Sequence, residues 1–323
     1  MNPVSAPPGR PAQEVLVSVV IPAYNAEGCL SRALDSVLAQ THAPVEILVV
    51  NDGSTDGTLR LLDRYAEQVK VINQANQGAG AARNAGIRAS QGRYIAFLDA
   101  DDRWLPTKLD RQIAALEGDP EAGLCYTNGA HYNETGVTQP SHAALRRPHS
   151  GWVFEPLFVE NFMITSSVLV RRDSVEMVGE FNPQYLNAQD YDLWTRLARR
   201  YRFVYVDEIL VQYWSMGKSL CTNYDRLYTT DFMISRRLME DDPQFFENRP
   251  GLVRTRFGSL HFRYGWRLFR NGRFEEARRE FGSSRRYRPM DIRTYGYWAA
   301  TFLPEALIEG IRRFRRAMSL KAR

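Results

Sequence analysis

Two hydrophobic patterns alternate along the first hundred residues. Short apolar runs rich in β-branched residues, of the kind found in strands buried on both faces, lie at 15–21, 45–50, 69–73 and 94–98. Between them, apolar residues recur at helical spacing in 27–40, 58–66 and 79–89. This alternation predicts right-handed βαβ connections and an α/β fold with an open, mostly parallel sheet flanked by helices.

Polar clusters follow three of the predicted strands. They are Ala23-Tyr24-Asn25 after the first strand, Asn51-Asp52-Gly53-Ser54 after the second and Asp99-Ala100-Asp101-Asp102 after the fourth. Ligands of open α/β sheets bind outside the carboxyl ends of the strands. The three clusters are therefore predicted to converge on one edge of the sheet.

The acidic cluster after the fourth strand has two interpretations. Carboxylates as close as Asp99, Asp101 and Asp102 repel one another unless a cation or solvent neutralises them. Asp99 and Asp101 can share a face of an extended segment, and hard oxygen ligands suit Mg²⁺ or Mn²⁺ carrying a substrate diphosphate. Alternatively, the acids cap a helix that begins near Trp104. Taken alone, the cluster favours neither.

Four sequence blocks carry a resemblance to a known family. Residues 17–25, 49–57, 78–84 and 97–102 resemble, in this order and spacing, the bacterial-type family 2 glycosyltransferases, which have a Rossmann-like GT-A fold and invert the anomeric centre. The similarity extends from about Val15 to about Tyr213. Together the blocks are specific, whereas any single one would not be.

The resemblance implies a set of nucleotide-binding residues. Tyr24, in the turn that starts at Pro22, matches the aromatic residue that stacks on the base, although it could simply cover the sheet edge. Asp52, with Asn51, matches the position that hydrogen-bonds the base or ribose, and an Asx turn that shapes the loop is the alternative. Arg83 matches the arginine placed over the nucleotide.

The resemblance also implies the metal ligands and the catalytic base. Asp101, supported by Asp99 or Asp102, would hold Mn²⁺ or Mg²⁺ on the donor diphosphate, and Asp99 would also contact the nucleotide. Asp190 matches the base that deprotonates the acceptor hydroxyl. Asp192 points about 200° away from it on a helix and is interpreted as structural.

Two positions depart from the family pattern. Gln189 stands where many relatives have Glu, which removes a negative charge beside Asp190. Met216 stands where relatives often have a histidine that helps to hold the metal or the diphosphate, and a thioether is a poor ligand for either ion. Without that histidine, either the metal relies on Asp101 and the diphosphate oxygens, or Lys218 supplies charge for the phosphate.

The charge is divided unevenly along the 323 residues. The net charge is +5, but residues 251–323 hold 18 Lys or Arg against 6 Asp or Glu, a net of +12, which leaves −7 for residues 1–250. An apolar stripe flanked by arginines at 304–318 could lie in an anionic membrane interface, or the helix could dock on its own protein. The basic end contains no motif that reads nucleic acid, so no nucleic-acid partner is expected.

These patterns predict the domain organisation. A proline-rich disordered tail covers 1–14, a GT-A domain covers 15–225 with a nucleotide-binding half at 15–102 and an acceptor half at 103–225, and a helical basic module covers 226–323. The polar segment 139–150 is predicted to be a mobile loop in which His142 is solvated. Three dispersed cysteines indicate a reducing compartment, most simply the cytoplasm, with the inner face of the cell membrane as a peripheral location.

The resemblance implies a metal-dependent hexosyl transfer, which we expect to serve cell-surface polysaccharide synthesis. The expected donor is a nucleoside-diphosphate sugar, most simply of the UDP type, and the expected acceptor is a hydroxyl of a glycan or a lipid-linked molecule. Two other classes stay open: a sugar-phosphate nucleotidyltransferase, and a non-catalytic protein whose basic end binds nucleic acid or membrane. The first should have a Gly-rich phosphate loop near its N-terminus, where this chain has Ala23-Tyr24-Asn25.

Overall fold

The computed structural model describes residues 16–214, 224–304 and 307–308. Contacts divide the chain into two compact units, each described by itself below. The first unit comprises residues up to Phe154 together with Phe162–Ser219, and the second comprises Glu155–Asn161 and the chain from Leu220 onward. The tail predicted at 1–14, Met216, Lys218 and nearly all of 304–318 lie outside the described residues.

The first unit is built on one mixed sheet. Its strands are β1 (Val17–Ala23), β2 (Val45–Asp52), β3 (Val69–Gln74), β4 (Tyr94–Phe97), β5 (Arg103–Trp104), β6 (Ala122–Asn133), β7 (Gly136–Gln139), β8 (Val168–Arg171) and β9 (Arg202–Trp214). Their spatial order is β3-β2-β1-β4-β8-β6-β9-β5, and β7 pairs with β6.

The four strands predicted in the first hundred residues are confirmed and form a parallel half-sheet. β1 lies between β2 and β4, with Val17 opposite Val45 and Tyr94. In β1 only Pro22 is not fully buried, as expected of a strand covered on both faces. The carboxyl ends of these strands share one edge, and the polar clusters leave the sheet there.

The other half of the sheet departs from the parallel pattern. β8 runs antiparallel to both β4 and β6, and β5 runs antiparallel to β9, whereas β6 and β9 are parallel. A short 3₁₀ turn at Thr165–Ser167 leads into β8. β8 lies beside β4 in the sheet, so the turn before it is next to the acidic cluster that follows β4.

The helices of the first unit cover the faces of this sheet. They are α1 (Leu30–Leu38), α2 (Thr58–Leu62), α3 (Ala79–Ala89), α4 (Lys108–Glu117), α6 (Arg172–Val178) and α7 (Gln189–Ala198), while α5 (Phe154–Val159) runs from the first unit into the second. The helices predicted at 27–40, 58–66 and 79–89 are confirmed, with α2 ending in a 3₁₀ turn at Asp63–Tyr65. Gly86 of α3 packs so closely on β1 that a Cβ would lie 2.3 Å from Val20 Cγ1.

The segment predicted as a mobile loop is held down on β6. β7 and a 3₁₀ turn at His142–Ala144 occupy part of it. His131 Nε2 lies 2.9 Å from His142 Nδ1, and His142 Nε2 lies 3.2 Å from the Phe162 carbonyl oxygen. The prediction that His142 is solvated is wrong, because its ring stacks on that of His131 at 5.2 Å.

The described residues of the second unit are helical. Beyond the shared α5, its helices are α8 (Tyr224–Asp241), α9 (Pro243–Glu247), α10 (Pro250–Arg270), α11 (Phe274–Tyr287) and α12 (Ile292–Ala300). α10 and α11 form a helical hairpin that turns at Asn271-Gly272. Leu268, Phe269, Ala277, Phe281 and Ile308 form its core cluster. No helix within the described ranges is both long and apolar enough to cross a bilayer.

Candidate functional site

The turn after β1 presents Tyr24 at the edge of the sheet, with 52% of its surface exposed. Asn25, at a φ of 50°, accepts a hydrogen bond on Oδ1 from Thr55 N at 2.8 Å, and its own N–H donates to Ser54 Oγ at 3.0 Å. These bonds join the turns after β1 and β2. The ring of Tyr24 therefore projects from a fixed backbone, as a base-stacking residue requires.

Pro22 and Asn51 are part of the strands themselves. Pro22 lies opposite Val50. The buried Asn51 side chain donates from Nδ2 to Asn73 Oδ1 at 2.9 Å and accepts on Oδ1 from Ser54 N at 3.1 Å. Both ends of the Asn51 amide thus hold the turn, and its contact with a nucleotide stays a prediction, as does that of Pro22.

The Asp52 carboxylate holds the loop between β3 and α3. Its Oδ1 accepts from Gln74 Nε2 at 2.8 Å and Gln77 N at 2.9 Å, and its Oδ2 accepts from Gly78 N at 2.8 Å. Only 3% of its surface is exposed. In this arrangement Asp52 positions the loop, and any bond to a base or ribose would be additional to these three.

The two glycines that precede Arg83 serve different purposes. Gly78 has a φ of 88°, which favours glycine. A Cβ on Gly80 would lie 2.8 Å from Gln189 Oε1. Gly80 therefore leaves room for the side chain of Gln189 on α7, which packs against its backbone.

Arg83 connects α3 to the acidic cluster and to α7. Its Nη2 donates to Asp99 Oδ1 at 2.5 Å, and its Nη1 reaches Gln189 Oε1 at 3.5 Å. The side chain is nearly buried, and its Nε has no hydrogen-bond acceptor among the described residues. This guanidinium is fixed beside the acids that were predicted to meet a diphosphate.

Asp99 and Asp101 are both half-buried. Burial, together with the neighbouring charge of Asp99, raises the pKa of Asp101 to about 6. A cation bound here would offset the effect that burial and the Asp99 charge have on Asp101. The pair therefore fits a hard divalent ion that takes its other ligands from a diphosphate and water.

Asp102 is the least accessible of the three acids. It is fully buried, and its carboxylate accepts from Ser166 Oγ at 2.5 Å and from Trp214 N at 2.9 Å. Burial first, and the charges of Asp99 and Asp101 second, raise its pKa well above the usual value. This position suits a residue that anchors the cluster to β8 and β9 better than one that coordinates a metal.

The helix-cap interpretation of the cluster is wrong. Arg103–Trp104 form β5, and α4 begins only at Lys108, whose preceding residue is Thr107. The acids are thus too far from the helix start to cap it. Within the described residues no three His, Cys, Asp or Glu side chains gather into a complete metal site. Any ion here would rest on Asp101 and Asp99.

Asp190 lies in the first turn of α7, half-buried, and accepts from Thr165 Oγ1 at 3.2 Å. Ala188 before it has a left-handed backbone, with a φ of 54°. The neighbouring Ser166 Oγ accepts from Asp99 N at 3.0 Å and donates to Asp102. The turn at Thr165–Ser167 therefore brings Asp190 next to the acidic cluster, a link that the sequence pattern did not reveal.

Asp192 points into the protein, as interpreted from helix geometry. It is fully buried, and its Oδ2 accepts from Arg196 Nη2 at 3.0 Å. Arg196 also donates to the carbonyl oxygens of Val178, Gly179 and Glu180. The pair fixes α7 to the turn after α6.

Arg32 of α1 is a cation near the cluster that sequence reasoning missed. Its guanidinium carbon lies 4.4 Å from the centre of the Trp214 ring, and its charge acts to lower the pKa of Asp101. Its Nε is buried without an acceptor among the described residues. The only available signal was an arginine at the start of a helix that follows a site turn, which is too common to single out.

Comparison with known proteins gives a consistent result. Residues 18–179 match the sequence family described as glycosyl transferase family 2. An uncharacterized glycosyltransferase of Nostoc is 36% identical over 182 residues, covering 52% of this chain and 54% of its own length. The uncharacterized glycosyltransferase YibD of Escherichia coli is 40% identical over 144 residues, covering 43% and 42%. The chain thus spans about half the length of these relatives.

One relative is matched over more of its length, and two solved structures share the fold. The putative teichuronic acid biosynthesis glycosyltransferase TuaG of Bacillus subtilis is 30% identical, covering 64% of this chain and 82% of that protein. TarS of S. aureus, solved with UDP-GlcNAc, has a TM-score of 0.64 at 17% identity, covering 84% of this chain and 81% of the other. The mannosyltransferase PcManGT of Pyrobaculum calidifontis, solved with GDP-Man and Mn²⁺, has a TM-score of 0.60 at 19% identity, covering 88% and 85%.

Proposed function

Because the chain belongs to glycosyl transferase family 2, we propose that it transfers a sugar from a nucleoside diphosphate to an acceptor hydroxyl with inversion. The observation that carries this proposal is the tie between the acidic cluster and Asp190. Arg83 bonds Asp99 and reaches Gln189, and the Thr165–Ser167 turn bonds both Asp99 and Asp190. These contacts support the proposal that a donor binds at this edge with Asp190 beside it as the base.

The donor nucleotide is proposed to lie over the turns after β1 and β2. Tyr24 offers an exposed ring for the base, and Asp52 keeps the loop at Gln77 and Gly78 in place beneath it. A UDP-type donor is supported by TarS, solved with UDP-GlcNAc, and GDP-Man in PcManGT shows that neighbours with this fold accept other bases.

The diphosphate is proposed to meet Asp101, Asp99 and two arginines. Asp101 and Asp99 would hold Mn²⁺ or Mg²⁺, which, when bound, stabilises the charge that develops on the leaving nucleoside diphosphate. The Mn²⁺ in PcManGT supports this assignment. Arg83 on α3 and Arg32 on α1 would add positive charge near the diphosphate. They would thereby compensate for the family histidine, in whose place this sequence has Met216.

Asp190 is proposed to take the proton from the attacking hydroxyl. Its carboxylate is half-buried and accepts from Thr165 Oγ1 at 3.2 Å, which holds it beside the acidic cluster, where a hydroxyl attacking the donor sugar would need a proton acceptor. Direct displacement needs no second nucleophile, and Asp192 is engaged with Arg196. The name of TuaG supports an acceptor in cell-surface polysaccharide synthesis, either a glycan or a lipid-linked molecule. We include in the proposal a peripheral contact with the inner face of the membrane through 304–318.

The decisive experiment screens labelled nucleotide sugars for slow hydrolysis with and without Mn²⁺. We expect one donor to be cleaved only with the metal, and the Asp190→Asn enzyme to bind that donor while failing to transfer from it. Binding of no nucleotide sugar in the presence of Mn²⁺ or Mg²⁺ would overturn the proposal. Equal cleavage without a divalent ion would remove the metal from it.

A further inference from the structure

One stripe along the solvent-facing side of α12 carries no charge. Its members recur at helical spacing through the helix and the turn that continues it, and they are Ile292, Tyr295, Gly296, Ala299, Phe302 and Leu303, preceded by Met290. Arg293 is also exposed and lies beside this stripe. We call these residues the α12 outer face. A surface helix normally places polar residues on this side, so the pattern is inverted.

The exposure of this face is large. Met290 has 90% of its surface exposed and Ile292 has 83%, while Phe302 has 55%. Space around Gly296 is open, since a Cβ there would meet nothing within 4 Å. Adjacent large apolar side chains left this far in solvent mark an interaction surface more often than an accident of packing.

The opposite side of α12 is already used for packing within its unit. Thr294 is buried, and the Tyr297 ring stacks on Phe281 at 5.7 Å. Trp298 lies beneath the Arg285 guanidinium at 4.2 Å. The helix is therefore anchored by its inner side, and its outer face is available to a partner.

Arginines border the outer face. Arg278 lies 3.8 Å from the Phe302 ring, Arg285 lies 4.3 Å from the Tyr295 ring, and Arg293 projects beside Ile292 with its side chain 68% exposed. Asp291 is the one acid between 285 and 304, and it pairs with Arg288 and Arg293. The face is thus an apolar surface with a cationic border.

We propose that the α12 outer face docks on an anionic lipid bilayer, with Met290, Ile292 and Phe302 among the acyl chains and the arginines among the headgroups. This arrangement is the one that interfacial helices adopt. The surface is distinct from 304–318, and the proposal does not depend on sugar transfer.

Charge and chemistry decide against other occupants. In a two-fold dimer the arginine border of one copy would meet the same border of the other, which is repulsive. The sequence after Glu309 has six Lys or Arg and no acid, so it shares the sign of the border. A nucleic acid would satisfy the arginines but would leave Met290 and Ile292 without an apolar partner.

The test is co-sedimentation of the full chain with phosphatidylcholine vesicles, with and without phosphatidylglycerol, at low and high salt. We expect binding only to the anionic vesicles, weakened by salt. The double variant Met290→Ser/Ile292→Ser should lower the bound fraction about tenfold, because two apolar side chains no longer enter the bilayer. Met177→Ser, a change at a 62% exposed methionine of the first unit, should bind as the parent chain does.

Several results would overturn the proposal. One is undiminished vesicle binding by the double variant, which would show that other basic segments bind the membrane and the α12 outer face does not. Concentration-dependent dimerisation that the double variant abolishes would assign the face to a second copy, and tight DNA binding lost in the double variant would assign it to nucleic acid. Since both substituted side chains are exposed, circular dichroism of the double variant should match that of the parent chain.

Discussion

The Arg83 guanidinium donates to Asp99 Oδ1 at 2.5 Å from a nearly buried position in α3. Its second terminal nitrogen reaches toward Gln189 of α7 at 3.5 Å. One side chain therefore sets the position of the carboxylate predicted to face the donor and touches the helix that carries the predicted base. A planar fork can make both contacts, and a single ammonium group cannot.

Arg83→Lys should accordingly weaken nucleotide binding by about tenfold or more, as loss of a charge-assisted hydrogen bond does. Arg88→Lys is the matched control, because Arg88 lies on the same helix but pairs with Glu180 at the surface. Calorimetric titration with UDP and GDP in the presence of Mn²⁺ measures the difference. Equal affinity in the two variants would show that Arg83 does not act on the nucleotide.

Asp101 and Asp102 should separate binding from stability. Asp101→Asn is expected to abolish metal-dependent nucleotide binding without loss of stability at pH 7, because the ionised carboxylate is disfavoured by burial and by Asp99. Asp102→Ala should lower the free energy of unfolding by about 2–4 kcal/mol, since Ser166 Oγ and Trp214 N lose their acceptor. Urea unfolding and nucleotide titration of both variants provide the check. A stable Asp102→Ala protein that no longer binds the metal would make Asp102 the ligand.

The two aspartates of α7 should likewise differ. Asp190→Asn is expected to remove turnover while donor affinity stays within about twofold, because only the proton acceptor is lost. Asp192→Asn should instead cost about 3 kcal/mol of stability, since it leaves Arg196 facing a neutral partner in a buried site. Single-turnover transfer and thermal unfolding distinguish these outcomes. Undiminished transfer by Asp190→Asn would move the base elsewhere.

The stacked pair of His131 on β6 and His142 in the 3₁₀ turn should make stability depend on pH. Burial, with the neighbouring His131 as a second cause, lowers the pKa of His142 to about 4. As the pH falls below 6.5, His142 becomes protonated in the unfolded chain but stays neutral in the folded chain. The free energy of unfolding is therefore highest above pH 6.5 and decreases as the pH falls toward 4. Between pH 7 and pH 5 the loss attributable to His142 is about 2 kcal/mol. His142→Gln should flatten that part of a urea-unfolding series, and an unchanged slope would refute the assignment.

Sequence periodicity predicted the parallel half-sheet well because its strands are continuous and β-branched and follow one another with regular helices. β1 to β4 and the polar clusters at their carboxyl ends lie where the pattern placed them. The other half of the sheet could not be predicted as well from the sequence, for a physical reason. β5, β6, β8 and β9 mix parallel and antiparallel pairings, so the regular alternation of strand and helix that identified β1 to β4 does not extend to them.

The same distinction explains what was missed in the site. The four sequence blocks that resemble the family indicate which residues belong to the site, but they do not indicate which of those side chains are buried. Asp102 and Asp101 are adjacent in sequence, yet one is fully buried and the other half-buried. The contacts made by Ser166, Arg32 and Gln189 join segments that only the folded chain brings together.

Lys108 shows how far a local pattern can mislead. It begins α4 as a residue that would ordinarily face water, but it is fully buried, with its Nζ 3.9 Å from the Trp104 ring and donating to Gln112 at 2.6 Å. Burial lowers its pKa to about 7. The π face of Trp104 and the amide oxygen of Gln112 partly compensate the positive charge of the buried amine when it is protonated.

The left-handed backbone of Ala188 has a consequence for engineering. An alanine in that conformation costs on the order of 1 kcal/mol relative to glycine, and the first turn of α7 starts from it. Glycine would relieve this strain in the folded chain, but it would also allow the peptide before Gln189 more backbone conformations. A thermostabilising Ala188→Gly change should therefore be checked against the position of α7.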